Sequence, residues 1–232
     1  MWVDAEVVEW GSEGDSMKPL GGGALAPQRS VTKSRTEVLP PYGQGDEVLT
    51  SQNSGTEVPP PKRLNLPHID LKGHYQFVTF RTHDSIDDFL KRLSSADISS
   101  SVRQYKIDAY LDISKKGCYL HNEILQFLKD FFLKYDKELY ELIAFSIMPN
   151  HIHILFKQKA ELAKILQQLK GSSAFQINKM LERKGKFWED GYYDKLIRDE
   201  SHFSLTYEYI KYNAIKAGLD DAKERFYGVY YG

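Results

Sequence analysis

The sequence predicts an α+β fold, an antiparallel sheet with helices packed on one face. Three observations carry the prediction. Tyr75-Gln-Phe-Val-Thr-Phe-Arg81 is a run of β-branched and aromatic residues, as a strand requires. Leu139–Met148 and His151–Phe156 are two further strand-like runs separated by the turn signal Pro149-Asn150. Between and after them, apolar residues recur at helical spacing. The order strand, helix, strand, strand, helix, strand, helix is that of a split βαβ arrangement.

Each element has a local reason. Asp84 or Ser85 is placed to cap a short helix carrying Phe89, Leu90 and Leu93. Residues 94–105 read as a polar connection or a short helical insert. Asn122 is placed to cap an amphipathic helix with Ile124, Leu125, Phe127, Leu128, Phe131, Phe132 and Tyr135 on one side. In the following strand Tyr140, Leu142 and Ala144 alternate with Glu141, Ile143 and Phe145. That strand and His151–Phe156 make a hairpin. A long helix is expected over residues 161–183, ended by Lys184-Gly185-Lys186. Residues 187–197 are aromatic and extended. Asp199 or Ser201 then caps a last helix that reaches about Ala217 and stops at Gly218.

Residues 1–66 differ in kind. Gly21-Gly22-Gly23, Pro40-Pro41 and Pro59-Pro60-Pro61 interrupt a stretch without any sustained apolar period, so it is expected to be disordered, and the folded domain to span 67–232. This segment holds six of the 31 basic and nine of the 32 acidic residues, which leaves 25 against 23 in the body. A balance so close to neutral means that any binding of phosphate rests on local placement of Lys and Arg. The single cysteine, Cys118, excludes a disulfide framework and a Cys-rich zinc site. No apolar run approaches the ~18 residues of a membrane span, and the N-terminus lacks the basic-then-apolar pattern of a signal peptide. A cytoplasmic location follows as an expectation.

Two clusters carry chemistry. His151 and His153 lie at i and i+2 of a strand and so share a face, roughly 7 Å apart along the backbone, while Ile152, Ile154 and Phe156 face the other way. Two neutral imidazoles suit a divalent metal that keeps open positions; a pair of histidines that merely occupies its strand is the alternative. On the last helix Tyr209 and Asn213 are one turn apart and share a flank with His202 and Thr206. A carboxamide oxygen there can complete a metal's shell and a phenol can attack a polarised phosphorus. A surface Tyr and Asn on an amphipathic helix have the same spacing.

Several separated blocks together resemble a known family. They are Phe77-Val-Thr-Phe-Arg-Thr82, Gly117-Cys-Tyr-Leu120, Met148-Pro-Asn-His-Ile-His-Ile-Leu155, Phe187-Trp188, Tyr192-Tyr-Asp194, Ile197-Arg-Asp199, Tyr209-Ile-Lys-Tyr-Asn213 and Lys216-Ala-Gly218. In this order, from about residue 74 to 219, they are similar to the REP-associated tyrosine transposases, single-tyrosine HUH nucleases. The resemblance implies a ferredoxin-like α+β domain that binds Mg²⁺ or Mn²⁺ and nicks single-stranded or hairpin DNA. It implies His151, His153 and Asn213 as metal ligands and Tyr209 as the nucleophile, forming a 5′-phosphotyrosine link and freeing a 3′-hydroxyl. It also implies a bacterial, nucleoid-associated protein acting as a monomer or homodimer. Ala214 departs from the pattern, since many relatives carry Pro there, and the departure bears on how the last helix ends. For DNA the candidates are Arg81, Lys170, Arg183, Lys184, Lys186 and Arg198, with Trp188, Tyr192 and Tyr193 available for base stacking; Lys170-Gly-Ser-Ser173 resembles a family block. Against the transposase stand a nucleic-acid-binding module that kept the fold without catalysis, and a metal phosphoesterase with water as nucleophile.

Overall fold

A computed structural model describes residues 70–229; the expectation of disorder over 1–66 lies outside the described residues. The strands are β1 (Tyr75–Arg81), β2 (Tyr140–Ile147), β3 (His151–Gln158), β4 (Tyr193–Leu196) and β5 (Phe226–Gly228). They form one antiparallel sheet in the order β4-β1-β3-β2-β5. The helices are α1 (Asp88–Ser94), α2 (Ser100–Ile113), α3 (Asn122–Lys134), α4 (Leu162–Gln167), α5 (Ser173–Met180), α6 (Glu200–Lys216) and α7 (Ala222–Arg225). The α+β class and the antiparallel sheet are as the sequence predicts.

Strand β3 sits at the centre because both of its faces are apolar enough to bury. Its Ile152, Ile154 and Phe156 join Val78, Phe80, Phe145 and Ile147 against α3, α4 and α5, through Leu125, Leu128, Phe132, Leu166 and Ile177, with Leu169 from the turn between α4 and α5. The opposite parity, Leu155 with Phe77 and Ala144, packs on Tyr207, Tyr209 and Ile210 of α6. Packing on one face therefore holds for α3–α5, whereas α6 covers the other. Without that cover Phe77 and Leu155 would face water.

The structure departs from local expectation in five places. A β-bulge at Ile143 breaks the alternation in β2, so that Ala144 opposes Leu155 while Phe145 returns to the face of Leu142. The cap of α1 is Asp87, which accepts from Leu90 N, and Asp84 and Ser85 lie in a preceding 3₁₀ turn. The N-cap of α3 is His121, one residue before Asn122. The helix expected over 161–183 contains a π-turn at Gln168–Ser172. Most consequentially, the polar stretch after residue 94 leads into a 14-residue helix, α2, whose N-cap Ser99 accepts from Val102 N.

The far end of the β2–β3 hairpin is held by one buried cation. The Arg225 guanidinium, 1% exposed, donates to Leu120 O (3.0 Å) and Ile147 O (2.8 Å) and pairs with Asp221 at 2.6 Å. Arg225→Met keeps the bulk and strips both carbonyls of their donor. It is expected to cost about 2–4 kcal/mol, seen as a lower urea midpoint at unchanged m-value.

Candidate metal centre

The hairpin places the two histidines side by side. In the register His151 faces Arg81 and His153 faces Thr79 on β1, with Ser146 on the other flank of His153. Both imidazoles are 0% exposed and their Nε2 atoms are 3.1 Å apart. The outer nitrogens decide what those Nε2 atoms are. Asn150 directs Nδ2 at the carbonyls of Leu111, Ser114 and Lys116 (3.2, 3.3 and 3.2 Å), so its Oδ1, 2.8 Å from His151 Nδ1, must accept. His151 therefore carries its proton on Nδ1 and turns a lone pair inward. His153 Nδ1 lies 2.8 Å from Thr79 Oγ1, a hydroxyl that can donate or accept. Burial drives the His153 pKa down to about 3; burial, with the neighbouring His153 and Arg81, puts His151 well below its usual value. Both rings are neutral, as metal ligands must be.

Helix α6 starts at Asp199, whose carboxylate accepts from His202 N at 2.8 Å. Its flank His202, Thr206, Tyr209 and Asn213 faces the sheet rather than solvent. Tyr209 is 7% exposed; its ring centroid is 5.2 Å from that of His153 and 6.1 Å from that of Phe77. One turn on, Asn213 is 3% exposed, and its Oδ1 is buried without a hydrogen-bond partner among the described residues. Helix α6 runs on through Ala214 to Lys216, so Ala at this position leaves the helix unbroken.

Two carboxylates that the sequence reading did not single out come from α2. Asp108 is 2% exposed, and ligand atoms of Asp108, His151 and His153 all lie within 4.8 Å of one another. The Tyr209 hydroxyl donates to Asp108 Oδ2 at 3.2 Å, and Gln104 Nε2 donates to Oδ1 at 2.7 Å. Asp112 Oδ1 is 3.6 Å from His151 Nε2; burial and the Asp108 charge push the Asp112 pKa up to about 7, against a smaller opposing pull from Lys216. The signal was present as Gln104, Asp108 and Asp112, spaced by four, alongside Ile107 and Leu111. A helix whose buried side is polar has little amphipathic contrast.

The basic candidates divide. Arg81 lies beside His151; burial lowers its pKa, and the charges of Glu189 and Asp108 offset part of that. Lys170 donates to Asp190 O (2.8 Å) and Gly191 O (3.0 Å) above the Tyr192 ring, and burial lowers its pKa to about 8. Arg183 pairs with Asp84 at 3.1 Å over the Tyr119 ring, and Lys186 pairs with Asp190 at 2.7 Å. Lys184 and Arg198 are exposed. Trp188 corrects the stacking expectation. It is 4% exposed, lies edge-on to Phe80 and Phe187, and donates from Nε1 to Ser173 Oγ at 2.9 Å, because the loop folds its large apolar ring into the core.

Two imidazoles and a buried carboxylate whose ligand atoms lie within 4.8 Å of one another are a donor set that fits a divalent cation. Without one, the buried rings make stability depend on pH. Unfolded, each imidazole titrates near 6.5; folded, His153 resists protonation to about 3. Below pH 6.5 the unfolded chain takes a proton that the folded chain refuses, so stability falls with pH through this window. Asp112, raised in the fold, acts in the opposite sense. Comparing the metal-free native protein with His153→Asn cancels that contribution. From pH 7 to 5 the native protein should lose about 2 kcal/mol more than the variant by urea unfolding.

With this geometry in place, comparison with known proteins gives three results. The family model described as "Transposase IS200 like" matches residues 101–213. Among solved structures the chain is similar to a REP-associated tyrosine transposase bound to a REP hairpin, at 16% identity and a TM-score of 0.38, covering 66% of this chain and 74% of that one. It is also similar to a candidate transposase from Deinococcus radiodurans R1, at 15% identity and a TM-score of 0.36, covering 63% of this chain and 94% of that one. No curated protein matches. The family match opens at the start of α2 and closes on Asn213, taking in both histidines and Tyr209, and over those residues the chain is similar to the IS200-like transposases.

Proposed function

We propose that this domain nicks single-stranded DNA at hairpin-forming repeats and rejoins it to another strand, with Tyr209 as the nucleophile and a divalent metal as cofactor. One observation carries the reading: the Tyr209 hydroxyl is held by Asp108 at 3.2 Å beside two neutral histidines whose Nε2 atoms converge. His151, His153 and Asp108 would hold the metal, with Asn213 Oδ1 as a further ligand. A bound Mg²⁺ or Mn²⁺ supplies polarisation of the scissile phosphate. Arg81, opposite His151 in the strand register, would meet the same phosphate. Tyr209 Oη loses its proton to solvent and bonds to phosphorus, the P–O3′ bond breaks, and the 3′-oxygen takes a proton from solvent as it leaves. The strand stays on Tyr209 as a 5′-phosphodiester, and attack by a 3′-hydroxyl reverses the link without external energy.

The sequence blocks shared with REP-associated transposases support repeat hairpins as the substrate and a bacterial nucleoid as the setting. Among the described residues no helix is long and apolar enough to cross a membrane. Burial of both histidines and Tyr209 favours a second reading, a DNA-binding module that no longer cuts.

Incubation with hairpin-bearing single strands and Mn²⁺ or Mg²⁺ separates the readings. The native protein should form a metal-dependent, denaturant-stable adduct. Tyr209→Phe should lose it by at least about 10³-fold while still binding DNA, and His153→Ala should lose it with reduced metal affinity. Cleavage that survives Tyr209→Phe would replace the tyrosine by water. No cleavage by the native protein across a panel of hairpins would leave the binding module.

A further inference from the structure

We infer that Asn150 is a positioning residue that couples the tautomer of His151 to the seating of helix α2, so that the metal site is assembled only when α2 is docked. The inference rests on the reading of His151, His153 and Asp108 as a metal site.

Asn150 is 0% exposed and precedes the first histidine in the turn between β2 and β3. Its carboxamide is used at both ends. Nδ2 meets three carbonyls, Leu111 O inside the last turn of α2, Ser114 O at its C-cap and Lys116 O just beyond. These are groups that a helix end leaves without partners, and a buried donor answers them. Oδ1 meets His151 Nδ1. The orientation is forced, because a flipped amide would set Oδ1 against three oxygens. The amide that seats α2 is thus the group that holds the His151 proton on Nδ1 and leaves Nε2 with its lone pair toward His153 and Asp112.

The second half concerns what α2 carries. Its apolar residues Ile107 and Leu111 form a small cluster with Leu90 of α1, apart from the two clusters that flank the sheet. At the site α2 meets the sheet and α6 through polar contacts, Asp108 to Tyr209 and the Asn150 bonds. The Asn150 Nδ2 bonds are those of the set that involve neither a proposed metal ligand nor the proposed nucleophile. Loss of its Nδ2 bonds frees the C-terminal end of α2, and with it the hold of Asp108 on Tyr209. Loss of its Oδ1 frees the His151 ring to place its proton on Nε2, where it blocks a metal.

The two ends of the amide can be separated. Asn150→Asp keeps an acceptor for His151 Nδ1–H and turns the three carbonyl contacts repulsive; Asn150→Ala removes both. The measurements, on the full chain at pH 7.5, are the His151 tautomer by ¹⁵N NMR, Mn²⁺ affinity by calorimetry and hydrogen exchange of residues 100–113. The native protein should show the Nδ1–H tautomer. Asn150→Asp should keep that tautomer while exchange in α2 rises by at least about tenfold. Asn150→Ala should mix the tautomers, raise exchange in α2 and weaken Mn²⁺ binding by about 10–100-fold, the range of lost supporting bonds behind a metal ligand. An Nε2–H tautomer in the native protein would overturn the inference and requires no variant. Unchanged tautomer and Mn²⁺ affinity in Asn150→Ala, or unchanged exchange in Asn150→Asp, would overturn it as well. None of these readouts uses DNA cleavage, so the inference can fail while a native Tyr209 adduct upholds the proposed function, and the reverse.

Discussion

Strand β3 must be buried on both faces and yet carry two imidazoles, and the architecture of the site follows from that constraint. A ring nitrogen removed from water needs a partner. Each outer nitrogen has one, Asn150 Oδ1 for His151 and Thr79 Oγ1 for His153. The inner nitrogens are left facing each other. Had β3 been an edge strand, water could have reached both rings and their pKa values would have stayed near 6.5. Central placement makes them neutral, fixes one proton by geometry and gathers unprotonated nitrogen in a dry place.

The elements around β3 bring what a dry pair of imidazoles lacks. Helix α6 lies on the histidine face because Phe77 and Leu155 need cover there, and its flank delivers Tyr209 and Asn213. Helix α2 brings carboxylate. A buried Asp108 beside neutral rings is costly unless donors answer it, and Gln104 and Tyr209 do so. Asn213 Oδ1, without a partner among the described residues, and the depressed acidity of Asp112 mark where this satisfaction is incomplete. Polar shortfall in an otherwise well-packed interior is a common mark of functional sites. The turn of the β2–β3 hairpin is pinned by Arg225 on one side and by Asn150 on the other, so the strand that holds the ligands is tied at the end where they lie.

The sequence reading of the basic residues met the structure unevenly, for one reason. A Lys or Arg in sequence has no direction. Arg81 acquires one from strand register and ends beside His151. Lys170, Arg183 and Lys186 spend much of their hydrogen-bonding capacity on the segment around residues 183–191, holding carbonyls and carboxylates there. Trp188, beside them in sequence, anchors that segment in the core.

By itself the sequence determined the class of fold, most strands, the run of α6, the shared face of His151 and His153 and the shared flank of Tyr209 and Asn213. Each of these is a property of one element, and period two or 3.6 places side chains relative to their own backbone. Tertiary structure alone decided that α6 lies across the sheet from α3–α5, that α2 exists as a 14-residue helix reaching the histidines with Asp108, and that Trp188 is core. Those outcomes depend on which faces meet. Strand order, the bulge at Ile143 and the buried amide of Asn150 set that, through contacts between residues as far apart in sequence as Asp108 and Tyr209. Local periodicity carries no record of such contacts.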